Sequence, residues 1–239
     1  MNNKKILVSG LLATLVVGSF FLSGCATVED SQRPSAELMQ EAQTQFETGH
    51  YEDALKTYEN LRDWYPFSPL APEVELKIAD TYYKMEKYEE AAASYEEFTR
   101  LHPKNKMAAY AFYQTGMCFF EQMDTPDRDQ IPSFRAAEIF EKLILSDPDG
   151  PYSKATSEKI KKCHQNLAAH EMQVADFYFK VRQFEAALNR FERVVKMYPD
   201  VGMHEEALSK IKICQAKIAS AKKHPETEKP IVFPSATQM

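Results

Sequence analysis

Few side chains in this chain are placed to do chemistry. Cys25 closes the run Leu22-Ser23-Gly24-Cys25 at the end of an apolar stretch, a thiol directly behind two small residues. Asp124, Asp127 and Asp129 are spaced like calcium-loop carboxylates, but the turn glycine and the closing glutamate of such a loop are missing. His170-Glu171 opens a zinc-protease-like pattern, yet Val174 stands where the second imidazole belongs. Cys163, His164 and His170 have no familiar zinc spacing. There is no nucleophile elbow and no phosphate-binding glycine loop. The many carboxylates fall on helix faces, where they read as solvated surface. The expectation is a chain without a catalytic or metal site, and so not an enzyme.

The elements that must position any site are set by a spacing that recurs four times. A small residue is followed four later by an aromatic and eight after that by a proline: Ala54, Tyr58, Pro66; Ala91, Tyr95, Pro103; Ala136, Phe140, Pro148; Ala187, Phe191, Pro199. Twelve residues before the alanine stands another small residue, Ala42, Ala79 or Ala175; in the third unit it is Gly116, twenty before, because of an insertion at 121–130. Small residues let a partner helix approach, the aromatic one turn on fills the gap between units, and proline stops the second helix. This is a helix-turn-helix repeat that resembles the tetratricopeptide type, an all-α superhelix of about five units. Thr48-Gly49-His50 and Lys84-Met85-Glu86-Lys87 read as turns within units, Ser153 as an N-cap, and 203–222 as a closing helix. Only 7 glycines interrupt the chain, which argues against a sandwich or barrel.

The N-terminus lies outside that pattern. Lys4 and Lys5 precede an apolar stretch from Ile6 to Leu22, as in a secretory signal. Its end resembles the bacterial lipobox, which implies cleavage before Cys25 and acylation there, with no cofactor beyond that covalent lipid. Residue 26 is Ala26 rather than aspartate, which favours the outer membrane and its periplasmic face. The expected organisation is a signal at 1–24, a lipidated tether at 25–34, the repeats at 35–222 and a disordered tail at 223–239. The whole chain carries a formal charge of −6, and loss of Lys4 and Lys5 makes it more acidic still. With no basic block in the repeats, nucleic acid is excluded as a partner. Cys118, Cys163 and Cys214 sit beside apolar residues as buried thiols, with a Cys163–Cys214 disulfide left open.

The inner face of such a superhelix is lined by the first helix of each unit. Inward spacing selects Met39, Gln43 and Phe46 in the first unit, Glu73, Leu76, Asp80 and Tyr83 in the second, and Tyr110, Tyr113, Met117 and Phe120 in the third. Rings, a flexible methionine and a few polar groups suit an extended apolar peptide.

Several stretches resemble the BamD family of outer-membrane assembly lipoproteins. These are the lipobox, Arg62-Asp63-Trp64-Tyr65-Pro66-Phe67-Ser68-Pro69, Tyr82-Tyr83-Lys84 with Arg100-Leu101-His102-Pro103, the insertion Asp127-Arg128-Asp129-Gln130 with Arg135-Ala136-Ala137, and Asn189-Arg190-Phe191 with Tyr198-Pro199-Asp200. The resemblance spans about 22–215. It implies a scaffold beside the other Bam-complex lipoproteins that binds BamA, the barrel-forming insertase, through its C-terminal repeats. It also implies binding of the aromatic C-terminal signal of unfolded outer-membrane proteins on the N-terminal repeats. Arg190 matches the family's arginine that meets an acidic residue of BamA. One position from the packing Phe191, it is turned about 100° away and expected at the surface. The alternative is another periplasmic repeat scaffold, of the pilus-assembly or YbgF/Tol-associated type. Such chains usually lack the third-unit insertion or begin with heptads.

Overall fold

The computed structural model describes residues 33–199 and 201–223, so Cys25, the signal at 1–24 and residues 224–239 lie outside the described part. Among the described residues there are nine helices and no strand. They are α1 Ser35–Glu47, α2 Tyr51–Trp64, α3 Ala71–Lys84, α4 Tyr88–Leu101, α5 Ala108–Glu121, α6 Ile131–Ser146, α7 Ser153–Lys180, α8 Phe184–Met197 and α9 His204–Lys223. Each packs chiefly on the helix before and after it, as in a solenoid. Four pairs and one closing helix form an all-α repeat stack. None of the described helices is long and apolar enough to cross a membrane.

The repeat spacing has a visible physical cause. Ala42, Ala54, Ala79, Ala91, Ala136, Ala175 and Ala187 are all fully buried at helix crossings, and Tyr58, Tyr95, Phe140 and Phe191 fill the gaps they leave. A Cβ built on Gly116 would come within 2.7 Å of Phe140 Cδ1, so only glycine fits that crossing. Each core cluster joins neighbouring units; Leu38, Ala42, Ala54 and Tyr58 of the first, for example, meet Val74 and Ile78 of the second.

The ends of the second helices are alike. Tyr65, His102, Asp147 and Tyr198 each leave the helix one residue before the repeat proline, and each donates its N–H to the carbonyl four residues back, Leu61, Phe98, Leu143 or Val194. Proline forces its predecessor out of the helical region. Within units, the turn residue five before the alanine is left-handed: Gly49 at φ 81°, Glu86 at 59° and Arg182 at 61°. Ser153 is not a cap. It is the first residue of α7, no side chain caps that helix, and its hydroxyl donates to the Asp147 carbonyl at 2.6 Å instead.

The insertion is strapped down by α7. Asn166 Nδ2 donates to the Asp124 carbonyl at 2.8 Å and to Ser133 Oγ at 2.9 Å, and His170 Nδ1 meets the Pro126 carbonyl at 2.7 Å. The histidine singled out for zinc chemistry thus holds a loop. Cys118, Cys163 and Cys214 are buried free thiols, so the Cys163–Cys214 pairing left open by the sequence is not formed. Burial pushes the Cys118 and Cys163 thiols up to about 12.

Candidate functional site

The inward residues divide into two groups. Leu76 and Met117 are only 6% and 8% exposed and belong to the packing between helices. Asp80, Tyr83, Tyr110, Tyr113 and Phe120 are half-buried, on α3 and α5, the first helices of adjacent units. The structure brings these five together as a tray of rings, with Asp80 beside Tyr110 and the Glu121 carboxylate near Tyr83 and Tyr113.

Asp80 organises the tray. Its Oδ1 accepts the hydroxyls of Tyr95 at 2.7 Å and Tyr110 at 2.8 Å, and Lys77 Nζ lies 3.7 Å from Oδ2. Gln114 Nε2 donates to the Tyr110 oxygen at 3.0 Å. Burial first, and the Asp80 charge second, push the Tyr110 phenol up to about 12. Asp80 therefore fixes Tyr110 in place.

Tyr113 is held by rings instead. It stacks on Tyr152 at 5.0 Å and 18° and lies 5.9 Å from buried Phe140. Phe120 sits 6.3 Å from the same Phe140, with Lys159 Nζ 4.1 Å from its ring centre. Tyr83 meets Tyr88 edge-on at 5.4 Å. Tyr152 and Lys159, from the start of the fourth unit, were not selected by spacing. The inward rule counts from the small residue of the fourth unit, Ala175, and does not reach the first turns of the long α7. The signal was available in that helix's length, 28 residues against 14 in α3 and α5.

The second surface lies between α7 and α8. Arg190 is not free at the surface. Its side chain is 34% exposed and binds Glu171, itself 7% exposed, with Nη1 at 3.3 Å from Oε1 and 3.0 Å from Oε2. Arg193 Nη2 lies 3.1 Å from Oε1 and is 55% exposed. One buried carboxylate thus holds two guanidinium groups and leaves one positive charge in excess. Tyr198 borders the pair, its phenol pushed up by burial first and by the Glu171 charge second. Phe191 faces the core while Arg190 turns toward α7, because a 100° step from a packing position leads to the flank of the neighbouring helix as often as to water.

A stack of helical pairs with a ring-lined tray and an arginine pair on the fourth unit has a tetratricopeptide-type repeat fold. Residues 31–229 match the YfiO family, described as outer membrane lipoprotein. The chain is 30% identical to the outer membrane protein assembly factor BamD of Vibrio cholerae over 212 residues, covering 84% of this chain and 86% of that one. It is also 30% identical to the BamD of Rickettsia prowazekii over 204 residues, 84% of this chain and 81% of that one, and 29% identical to that of Neisseria gonorrhoeae over 226 residues, 87% and 84%. Among solved structures it is similar to a tetratricopeptide repeat protein from Parabacteroides merdae, at a TM-score of 0.40 and 12% identity over 81% of this chain and 68% of that one. The chain belongs to the YfiO family of outer membrane lipoproteins, and its role is in outer-membrane protein assembly.

Proposed function

We propose that this chain is a non-enzymatic scaffold, held on the periplasmic face of the outer membrane by acyl chains on Cys25. Its ring tray takes the aromatic C-terminal segment of an unfolded outer-membrane protein, and its fourth unit holds BamA beside the other lipoproteins of the complex. The observation that carries the reading is the tray. Asp80 has its donors already, so the tray's half-buried rings Tyr83, Tyr113 and Phe120 are what it offers an apolar ligand, with the exposed Glu121 carboxylate beside Tyr83 and Tyr113. Rings of an extended peptide can sit edge-on or offset against such faces. Lys159, 4.1 Å from the centre of the Phe120 ring, stands close enough to the tray to meet a terminal carboxylate.

BamA binding is supported by family membership and by the excess charge at Arg190 and Arg193, which suits an acidic partner residue. Capture of the tagged chain from solubilised outer membrane tests it: BamA should co-purify. A folded, membrane-bound chain that brings down no BamA would remove the partner. Fluorescence titration with a peptide ending in an aromatic residue tests the tray, and no saturable binding would remove the substrate.

A further inference from the structure

Phe67 takes no part in either surface and is 99% exposed. It sits between α2 and α3, flanked by exposed Pro66 and Pro69, with Trp64 37% exposed three residues earlier. The turn keeps its shape without the ring. Ser68 N–H donates to the Tyr65 carbonyl and Ala71 N–H to the Ser68 carbonyl, both at 3.0 Å, and Leu70 N–H donates to Ser68 Oγ at 3.2 Å. Two prolines restrict the backbone further. The phenylalanine is presented to solvent by a stiff loop.

Repeat register supplies the comparison. The residue after the repeat proline is Phe67, Lys104, Asp149 and Asp200 in the four units. Turns between units share one edge of such a stack. Lys106 adds a second exposed cation to the second turn, and Asp147 a second exposed carboxylate to the third. Along that edge the character runs from apolar to basic to acidic. The apolar end is also the end nearest Cys25. Tyr65 OH donates to the Arg33 carbonyl at 2.6 Å, fixing the start of the described chain beside the turn. Cys25 is eight residues before Arg33, a reach of at most about 28 Å.

We propose that the turn at 64–69 is a membrane-contact site, with Phe67 entering the interfacial layer of the lipid surface to which Cys25 is tied and Lys104 and Lys106 facing its anionic headgroups. This rests on acylation of Cys25. Aromatic rings favour the headgroup boundary, and lysines gain from an anionic surface. Asp147 and Asp149 are repelled by the same surface. The scaffold therefore leans on its first unit and holds its last units, with Arg190, away from the lipid.

Trp64 is the single tryptophan of the chain and reports on the turn directly. The chain from Cys25 onward is made without residues 1–24 and coupled through the free Cys25 thiol to a maleimide phospholipid. The vesicles contain phosphatidylethanolamine, with or without phosphatidylglycerol. Buried Cys118, Cys163 and Cys214 leave Cys25 as the reacting thiol. Brominated acyl chains should lower Trp64 emission about twofold or more against unbrominated ones, as expected for a ring at the interface. Phe67→Ser should remove most of that quenching while the helical signal is unchanged. Lys104→Glu with Lys106→Glu should reduce it only on vesicles that contain phosphatidylglycerol. Equal emission from brominated and unbrominated vesicles, or quenching that Phe67→Ser leaves intact, overturns the proposal. Mass spectrometry of the chain isolated from membranes reads the natural lipid on Cys25 separately, so a failure of acylation and a failure of the contact are distinguishable.

Discussion

Arg190 Nη1 lies within 3.3 Å of both carboxylate oxygens of Glu171, one helix away and almost fully buried. The arginine that the family resemblance assigns to BamA is therefore first an internal partner. A buried carboxylate that loses its cation costs more than an exposed pair ever contributes. Any loss of partner binding in an Arg190 variant mixes an interface effect with a folding effect, and the two must be separated.

Arg190→Ala should destabilise the chain by about 1–3 kcal/mol, because Arg193 still meets Glu171. Adding Glu171→Gln should recover part of that loss by removing a buried carboxylate left with one cation instead of two. Urea denaturation measures both. BamA capture should stay weak in the double variant. Full recovery of capture along with stability would make Arg190 a structural residue only.

Gly116 is matched to Phe140. Gly116→Ala would gain about 1 kcal/mol of helix propensity. It would also force a methyl into the Phe140 ring, an overpacking that costs about 1–3 kcal/mol. The melting temperature should fall. Phe140→Leu in the same chain should restore part of it by opening room. A rise in melting temperature for Gly116→Ala alone would contradict the crossing geometry.

Alkali should unfold this protein early. The thiols of Cys118 and Cys163 are raised by burial from the usual 9.0 to about 12, and Tyr110 from 10.0 to about 12. These groups are protonated in the fold at pH values where the unfolded chain has already ionised. Their contribution is full below about pH 9 and is lost as pH rises toward 12. Urea midpoints should hold to about pH 9 and then fall. Cys118→Ala with Cys163→Ala, though less stable throughout, should show a shallower decline.

The fold was legible because its markers act locally. A buried alanine, a gap-filling ring and a terminating proline each have one physical job, and Ala91, Tyr95 and Pro103 do it where the spacing put them. The site was legible only in part. Inward spacing selected Asp80, Tyr83, Tyr110, Tyr113 and Phe120, which are half-buried on α3 and α5, but helical periodicity cannot tell such a position from one packed against the next helix. Leu76 and Met117 fell on the wrong side of that line. Arg190 showed the same ambiguity, since its salt bridge reaches nineteen residues back to Glu171. Tyr152 and Lys159 enter the tray from the next unit, a contact between distant positions that the length of α7 signals but the repeat spacing does not encode.

The division of the tray makes a last prediction. Leu76→Ala and Met117→Ala remove buried side chains and should each cost about 2–5 kcal/mol of stability, leaving the peptide affinity of the folded fraction nearly unchanged. Tyr113→Ala should do the reverse. Its ring stacks on Tyr152 and lies tilted against Phe140, and among the described residues no hydrogen bond ties it to the core. Loss of one stacking ring should weaken an aromatic-ended peptide by about tenfold, equivalent to roughly 1.4 kcal/mol, at a smaller cost to the fold. Tyr110→Phe separates the remaining roles. It keeps the ring but leaves Asp80 one donor short, so it should lower stability by about 1 kcal/mol and change peptide binding little. The measurements are urea midpoints and fluorescence titration on the same preparations. If Tyr113→Ala bound peptide like the parent while Met117→Ala, still folded, did not, the groove would run deeper between the helices than the half-buried rings.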